Sequence, residues 1–167
     1  MAGALIVTAQ LAPDDFAWLE GLRRRHYPPE RNRVSAHLTI FHALPPSVEE
    51  EVRSRLIDAV RQPSPTANIE GLMDLGGGVA FRVVSDDLDR IRQDLASGLH
   101  GMLTAQDNGG WRPHVTIQNK VPHKVARSLL ESLSLDFRRR PLGICGLALH
   151  RYLDGPWEAL RSYAFRG

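Results

Sequence analysis

Two short runs of the sequence repeat the same residue types, and each places a histidine two positions before a threonine. The first run, AHLTI, carries His37 and Thr39, and the second, PHVTI, carries His114 and Thr116. Because side chains alternate across a β-strand, residues two positions apart share a face. Each run therefore presents an imidazole beside a hydroxyl, while the apolar residues between and after them turn to the core.

Two imidazoles on either side of one phosphorus atom suit general acid–base cleavage of a phosphoester. One imidazole takes a proton from the attacking oxygen and the other gives a proton to the leaving oxygen, and the ordinary pKa of histidine lies near neutrality. The threonine hydroxyls can donate to the non-bridging oxygens, where negative charge builds. The alternative is that two core strands carry hydrogen-bonded histidines with no catalytic role. A metal site fits poorly, because threonine rarely binds zinc and no compact ligand cluster accompanies the motifs, so no metal or other cofactor is expected.

The likeness between the two runs continues downstream in register. Pro45 lies eight residues after His37, and Pro122 lies eight residues after His114. This shared spacing indicates an internal duplication, in which each unit is a strand carrying His-x-Thr followed by an amphipathic helix. If the units pack about a pseudo-twofold axis, both pairs meet at one site. Further matches at the same offsets are Val48 with Val125, Val52 with Leu129, and Leu56 with Leu133.

With these motifs the chain resembles the 2H phosphoesterase superfamily, whose hallmark is two H-x-[T/S]-apolar motifs, and most closely its 2′-5′ RNA ligase / RNA 2′,3′-cyclic phosphodiesterase branch. The resemblance covers nearly the whole chain, from the N-terminal strand and helix to the closing hairpin. It implies an α+β, bilobal, pseudo-twofold duplicated fold, in which two antiparallel sheets form a central cleft flanked by helices. Residues 1–167 would form a single domain of two interlocked repeats.

The same resemblance implies a metal-independent phosphodiesterase that opens a 2′,3′-cyclic phosphate of RNA ends or small nucleotides to a 2′-phosphate, with 2′-5′ RNA ligation as the reverse reaction. His37 and His114 would be the acid and the base, in an order that the sequence leaves open, and Thr39 and Thr116 would bind the phosphate. The alternative is a non-catalytic RNA- or nucleotide-binding module that uses the same cleft. The expected partner is an RNA 3′ end or a cyclic nucleotide, and no protein partner is inferred.

Three further residues are candidates for substrate binding. Arg112 lies two residues before His114, and Tyr152 lies in the closing strand on the face opposite the buried leucines. Bacterial members of the family often carry a basic residue shortly after the second motif, and Lys120 is its displaced counterpart here. His42 lies at odd spacing from His37, so we leave it out of catalysis.

Composition limits the class of protein. A chain of 167 residues is about one domain. Its single cysteine, Cys145, cannot form an intrachain disulfide, which favours a cytoplasmic protein. No segment has the length and apolarity of a membrane span. The net charge is +2, so Arg31 and Arg33 belong either to a solvated loop or to a basic lip that attracts a polyanion.

Periodicity and turn residues predict the order of the elements. Ser47 with Glu50 and, separately, Ser85 are expected to cap helices, and the three glycines 76–78 to form a hairpin turn. Residues 104–110 are expected to form a mobile loop over the second motif. The predicted strands are 4–10, 35–43, 67–75, 79–84, 142–153 and 157–165, and the predicted helices are 13–26, 47–61, 88–103 and 121–133.

Overall fold

The structure is a computed structural model that describes residues 3–167, and the α+β class predicted from the sequence is confirmed. Each prediction of a strand or helix has a counterpart, with ends that move by a few residues. In chain order the elements are β1 (Leu5–Leu11), α1 (Pro13–His26), β2 (Leu38–Leu44), a 3-10 turn (Pro46–Val48), α2 (Glu49–Ala59), β3 (Asn68–Asp74), β4 (Val79–Val84), α3 (Asp86–Gly98), α4 (Ala105–Asn108), β5 (His114–Gln118), α5 (His123–Asp136), β6 (Arg140–Pro141), β7 (Ile144–Tyr152) and β8 (Trp157–Ala164).

The strands form one eight-stranded sheet in the order β6-β3-β4-β5-β2-β1-β7-β8, and every neighbouring pair is antiparallel. The strand order is symmetric about its centre. Each half of the sheet contains the same series of elements, which is β1-α1-β2-α2 in one half and β4-α3-β5-α5 in the other. The two central strands pair only through Leu38 and Val115. The two sheets expected from the sequence are therefore the two halves of one sheet, joined by this short contact.

One face of the central strands is closed by the core. Leu38, Ile40, Val115 and Ile117 are all 0% exposed, as the alternation of the motif strands requires. Burying one such side chain contributes about 1.5–3 kcal/mol to the free energy of unfolding. Helix α1 reaches from the first half to the second, where Trp18 packs against Phe81 at 5.2 Å between ring centroids. No helix within residues 3–167 has the length and apolar character needed to cross a membrane.

The predicted cap of the second helix is wrong. Ser47 lies inside the 3-10 turn Pro46–Val48, and neither this turn nor α2 has a side-chain cap. Proline has a fixed φ that suits the first position of a helix, so Pro46 begins the turn one residue upstream of Ser47. In contrast, the Ser85 cap is confirmed, since its Oγ accepts from the backbone N–H of Leu88 at 3.0 Å.

The segment 104–110 is a short anchored helix rather than the mobile loop predicted from its polar residues. Thr104 caps α4, and Asp107 within it is only 1% exposed. The Asp107 carboxylate accepts from the backbone N–H groups of His42 at 2.8 Å and of Ala43 at 3.0 Å, both at the end of β2. These partners lie about 65 residues away in sequence, which is why the local composition did not reveal them.

Candidate active site

The central strand pair brings the two motifs together on the open face of the sheet. Leu38 lies opposite Val115, so continuing this antiparallel register places His37 opposite Thr116 and Thr39 opposite His114. We call these four residues, His37, Thr39, His114 and Thr116, the motif cluster. Each of the four is half-buried, in contrast to the buried Leu38 and Val115 on the other face. Side chains directly opposite on neighbouring strands have Cβ atoms about 4.5–5.5 Å apart.

Both motif histidines are oriented by the same backbone contact. The Nδ1 of His37 lies 2.7 Å from the carbonyl oxygen of Ser35, and the Nδ1 of His114 lies 2.7 Å from the carbonyl oxygen of Arg112. A carbonyl oxygen can only accept, so each Nδ1 carries the proton in this contact. In the neutral imidazole the Nε2 atom then holds the lone pair, and it is the atom left free to exchange a proton with a substrate.

The backbone of each motif threonine is held by a side chain from elsewhere in the fold. The indole Nε1–H of Trp111 donates to the carbonyl oxygen of Thr39 at 3.1 Å, and the Arg23 guanidinium donates to the carbonyl oxygen of Thr116 at 3.0 Å. Arg23 is 3% exposed, and its Nε also donates to the side chain of Asn32 at 2.8 Å. These contacts brace the central strands where their own pairing is short.

His37 is enclosed by aromatic and titratable neighbours. Its ring centroid lies 4.6 Å from that of Trp157, and Trp157 in turn lies 5.4 Å from His150. His150 Nε2 is 3.0 Å from the hydroxyl of Thr8. Burial lowers the pKa of His37 to about 4, and the nearby charges of Arg23, His150 and His114 act in the same direction, while the hydrogen bond to Ser35 opposes the shift. His37 is therefore neutral near pH 7.

Two cavities lie near the motif cluster, and His37 is the member of the cluster that lines one of them. The first, of about 630 Å³, is lined by His37, Trp157, His150 and Thr8. The second, of about 490 Å³, we call the basic pocket. Arg33 and Val34 line both cavities, so the two share a wall. The basic pocket is lined by Arg23, Tyr27, Arg31, Arg33, Lys120 and Tyr152, with Glu30 as its one carboxylate.

The three remaining candidates from the sequence take two different positions. Lys120 and Tyr152 both line the basic pocket. Arg112 lies before β5 begins at His114, so the strand alternation that would put its side chain beside His114 does not extend to it. Its side chain is exposed, and its carbonyl oxygen orients His114 instead.

Two titratable residues of the site, His150 and Arg23, are not singled out by any motif in the sequence. His150 has no patterned neighbours in the sequence, yet it lines the first cavity beside Trp157, and burial lowers its pKa. Arg23 lies in the basic last turn of α1. Its position one turn after the buried Leu19 was a usable signal, because residues four apart share a helix face. For His150 the only signal was that it shares a strand face with Tyr152.

His42 and Trp111 belong to a group of hydrogen-bonded and packed side chains beside the first motif strand, and this group gives both residues a structural role. His42 Nδ1 donates to the Asp107 carboxylate at 3.2 Å. Arg92 donates to the carbonyl oxygens of Asp107 at 2.7 Å and of Ile40 at 3.0 Å, and its guanidinium lies 5.1 Å from the ring of Trp111. Trp111 is half-buried and anchors the loop before the second motif to the first motif strand.

The two imidazoles of the motif cluster can transfer protons on both sides of a phosphorus atom bound between them. Two imidazoles, each with its proton held on Nδ1, stand on neighbouring strands of the open face. A threonine hydroxyl accompanies each of them and can donate to non-bridging oxygens.

Comparison with known proteins gives one family match and several matches to solved structures. A family model described as the 2′-5′ RNA ligase superfamily matches residues 11–156. The solved structure of TT0787 from Thermus thermophilus is 17% identical, with a TM-score of 0.66 and 98% of each chain covered. A structure described as a phosphoesterase has a TM-score of 0.64 at 17% identity over 100% of both chains. E. coli LigT complexed with 3′-AMP has a TM-score of 0.60 at 17% identity, again over 100% of both chains. At these identities the likeness shows a shared fold alone. No curated protein matches the chain in sequence.

Proposed function

Because this chain belongs to the 2′-5′ RNA ligase superfamily of 2H phosphoesterases, we propose that it hydrolyses 2′,3′-cyclic phosphates. The substrates are RNA ends or small nucleotides, and the reaction needs no metal ion. The family supports an enzyme that acts on phosphodiesters. The finer assignment rests on one observation, which is that two histidines with the same Nδ1 contact and two threonines meet on the open face of the sheet.

The proposed reaction uses the two imidazoles in opposite roles. A water oxygen attacks the phosphorus atom, and the Nε2 of one histidine takes a proton from that water. The bond from phosphorus to the 3′ ribose oxygen breaks, and the second histidine gives its proton to that oxygen. The product is a 2′-phosphate. The same steps with an RNA 5′-hydroxyl in place of water as the attacking group form a 2′-5′ phosphodiester, which is ligation.

The hydroxyls of Thr39 and Thr116 would donate to the two non-bridging oxygens of the phosphate. Their side chains lie on opposite corners of the motif cluster, because each threonine faces the histidine of the other strand. Negative charge on these oxygens grows in the transition state, so donors fixed in advance favour it over the ground state. Trp111 and Arg23 hold the two threonine carbonyls and thereby keep the hydroxyls in register.

The test is hydrolysis of a mononucleoside 2′,3′-cyclic phosphate in EDTA by the wild type, His37→Ala and His114→Ala. We expect wild-type turnover, a fall in kcat of about 100- to 10 000-fold in each variant, and a 2′-phosphate product. His123→Ala is the matched control, since His123 is an exposed histidine of α5 that contacts Gly76 and Arg127, and it should retain full turnover. Turnover that EDTA abolishes, or that survives both motif substitutions, would refute the proposal.

A further inference from the structure

The basic pocket concentrates positive charge that the rest of the fold does not neutralise. Arg31, Arg33 and Lys120 line it with the buried Arg23, so four cationic side chains face one carboxylate, Glu30. In the part of the chain that the structure describes, none of the first three takes part in an ion pair.

Two arginines of α2 show how a carboxylate can neutralise such a charge. Arg53 pairs with Glu49 at 2.8 Å and Arg55 with Glu51 at 2.7 Å, each one helical turn away. Like charges held together in a concave site repel one another, and a bound anion relieves that repulsion. Four cations around one carboxylate in a single cavity therefore favour an anionic ligand.

The basic pocket is connected to the motif cluster by two residues. Arg33 lines both the basic pocket and the cavity that contains His37. Arg23 lines the basic pocket, donates to the carbonyl oxygen of Thr116, and is close enough to His37 for its charge to lower the pKa of that imidazole. Cations of the basic pocket therefore lie beside both motif strands, next to the place where a nucleotide would bind.

We propose that the basic pocket binds a phosphate on the 5′ oxygen of the nucleotide whose cyclic phosphate lies at the motif cluster. This inference rests on the proposed function. The same chemical group has two sources: the 5′-phosphate of a mononucleotide, and the phosphodiester that joins the terminal nucleotide to the upstream strand of an RNA. In both cases Arg31 and Lys120 contact the phosphate oxygens, and the Tyr27 and Tyr152 hydroxyls line the same cavity.

Three substrates test the proposal: a nucleoside 2′,3′-cyclic phosphate with a free 5′-hydroxyl, its 5′-phosphorylated form, and a trinucleotide ending in the same cyclic phosphate. We expect a 5′-phosphate to raise kcat/KM by about 10- to 100-fold, the range given by charge-assisted hydrogen bonds. Arg31→Gln and Lys120→Asn should each lower this advantage. Asparagine suits the second position because Lys120 has a φ of 64°, a conformation that asparagine tolerates.

Arg138→Gln is the matched control, because it removes an exposed arginine that lines a separate groove with Trp18 and Phe137. It should keep both the wild-type rate and the wild-type advantage. The proposal is supported if the phosphorylated mononucleotide, the trinucleotide or both have a higher kcat/KM that depends on Arg31. The substrate that shows this increase identifies the source of the phosphate. Equal kcat/KM for all three substrates, or a gain that Arg31→Gln and Lys120→Asn leave intact, overturns it.

A binding measurement separates failure of this inference from failure of the proposed function. The ligands are a nucleoside 3′-phosphate and a nucleoside 3′,5′-bisphosphate, which need no turnover. If the wild type hydrolyses no cyclic phosphate but binds the bisphosphate at least about tenfold more tightly through Arg31, the proposed function fails and the pocket assignment holds. Equal affinity for the two ligands overturns the pocket assignment whether or not the chain is an enzyme.

Discussion

The two motif histidines share one backbone contact but differ in their surroundings. Both donate from Nδ1 to the carbonyl oxygen two residues earlier, so both have the same tautomer. His37 alone is packed against Trp157, and this burial lowers its pKa to about 4. At neutral pH the free protein therefore holds His37 as a neutral imidazole that can accept a proton at Nε2.

Opening the environment of His37 should raise its pKa. Trp157→Ala removes the ring that shields the imidazole, so the charged form regains water and the pKa should move from about 4 towards the ordinary value near 6.5. The measurement is an NMR titration of the His37 ring protons. Trp157→Phe, which keeps an aromatic ring in place, should remain close to the wild type. A wild-type pKa near 6.5, or no change in Trp157→Ala, would contradict this explanation.

At the scale of elements, α4 connects the first motif strand to the loop that leads into the second motif. Asp107 in α4 accepts from the end of β2, and Arg92 from α3 bonds both the Asp107 and the Ile40 carbonyl oxygens. Burial by itself would raise the pKa of Asp107, but the hydrogen bonds from His42 and Ala43 outweigh it and hold the pKa below the usual range. The carboxylate is thus charged and hydrogen-bonded inside the fold.

Asp107→Asn should destabilise the fold. The amide has one oxygen instead of two and brings an N–H₂ group towards backbone donors, so at least one buried donor at the end of β2 loses its partner. We expect the free energy of unfolding to fall by about 1–3 kcal/mol, measured by urea denaturation at pH 7. Asp94→Asn, at an exposed position of α3, is the control and should change it by less than about 0.5 kcal/mol. Equal stability of the two variants would contradict the anchoring role of Asp107.

The motif strands could be predicted from sequence because their signals are local. The alternation of polar and apolar residues around His37 and His114 fixes which side chains share a face, and the repeat in register places the two strands in equivalent positions. The Ser85 cap and the glycine hairpin turn are also local features. What could not be predicted depends on long-range partners.

The contacts that the sequence did not reveal all join distant segments. Asp107 is stabilised by residues about 65 positions earlier, and Arg23 by a carbonyl oxygen 93 positions later. His150 belongs to the cavity because β7 pairs with β1, which brings its ring to Thr8, 142 positions away. None of these partners leaves a periodic or capping signal in the local sequence.

The whole molecule is held together across its centre by more than the strand pair. The contact between β2 and β5 is short, but α1 follows β1 in the first half and packs on the second half through Trp18 and Phe81, and Arg23 bonds Thr116. We therefore propose that residues 1–167 form a single domain of two interlocked repeats.

A single domain should unfold in one cooperative step. Tryptophan fluorescence and far-UV circular dichroism should give coincident urea transitions. Arg23→Met should lower the midpoint of both signals together, because the loss of its buried hydrogen bonds affects both halves, at a cost of about 1–3 kcal/mol. Two separated transitions, or a variant that shifts only one signal, would indicate halves that fold independently.

The central claim is that His37 and His114 act as one catalytic unit on a phosphodiester. The most direct test is kcat for 2′,3′-cyclic phosphate hydrolysis in EDTA for His37→Ala, His114→Ala and the double variant. Groups that act as a unit are strongly non-additive, so we predict that each single substitution lowers kcat by about 100- to 10 000-fold and that the double variant is little slower than the slower single variant. Effects that multiply, or a single variant that retains wild-type turnover, would contradict the account.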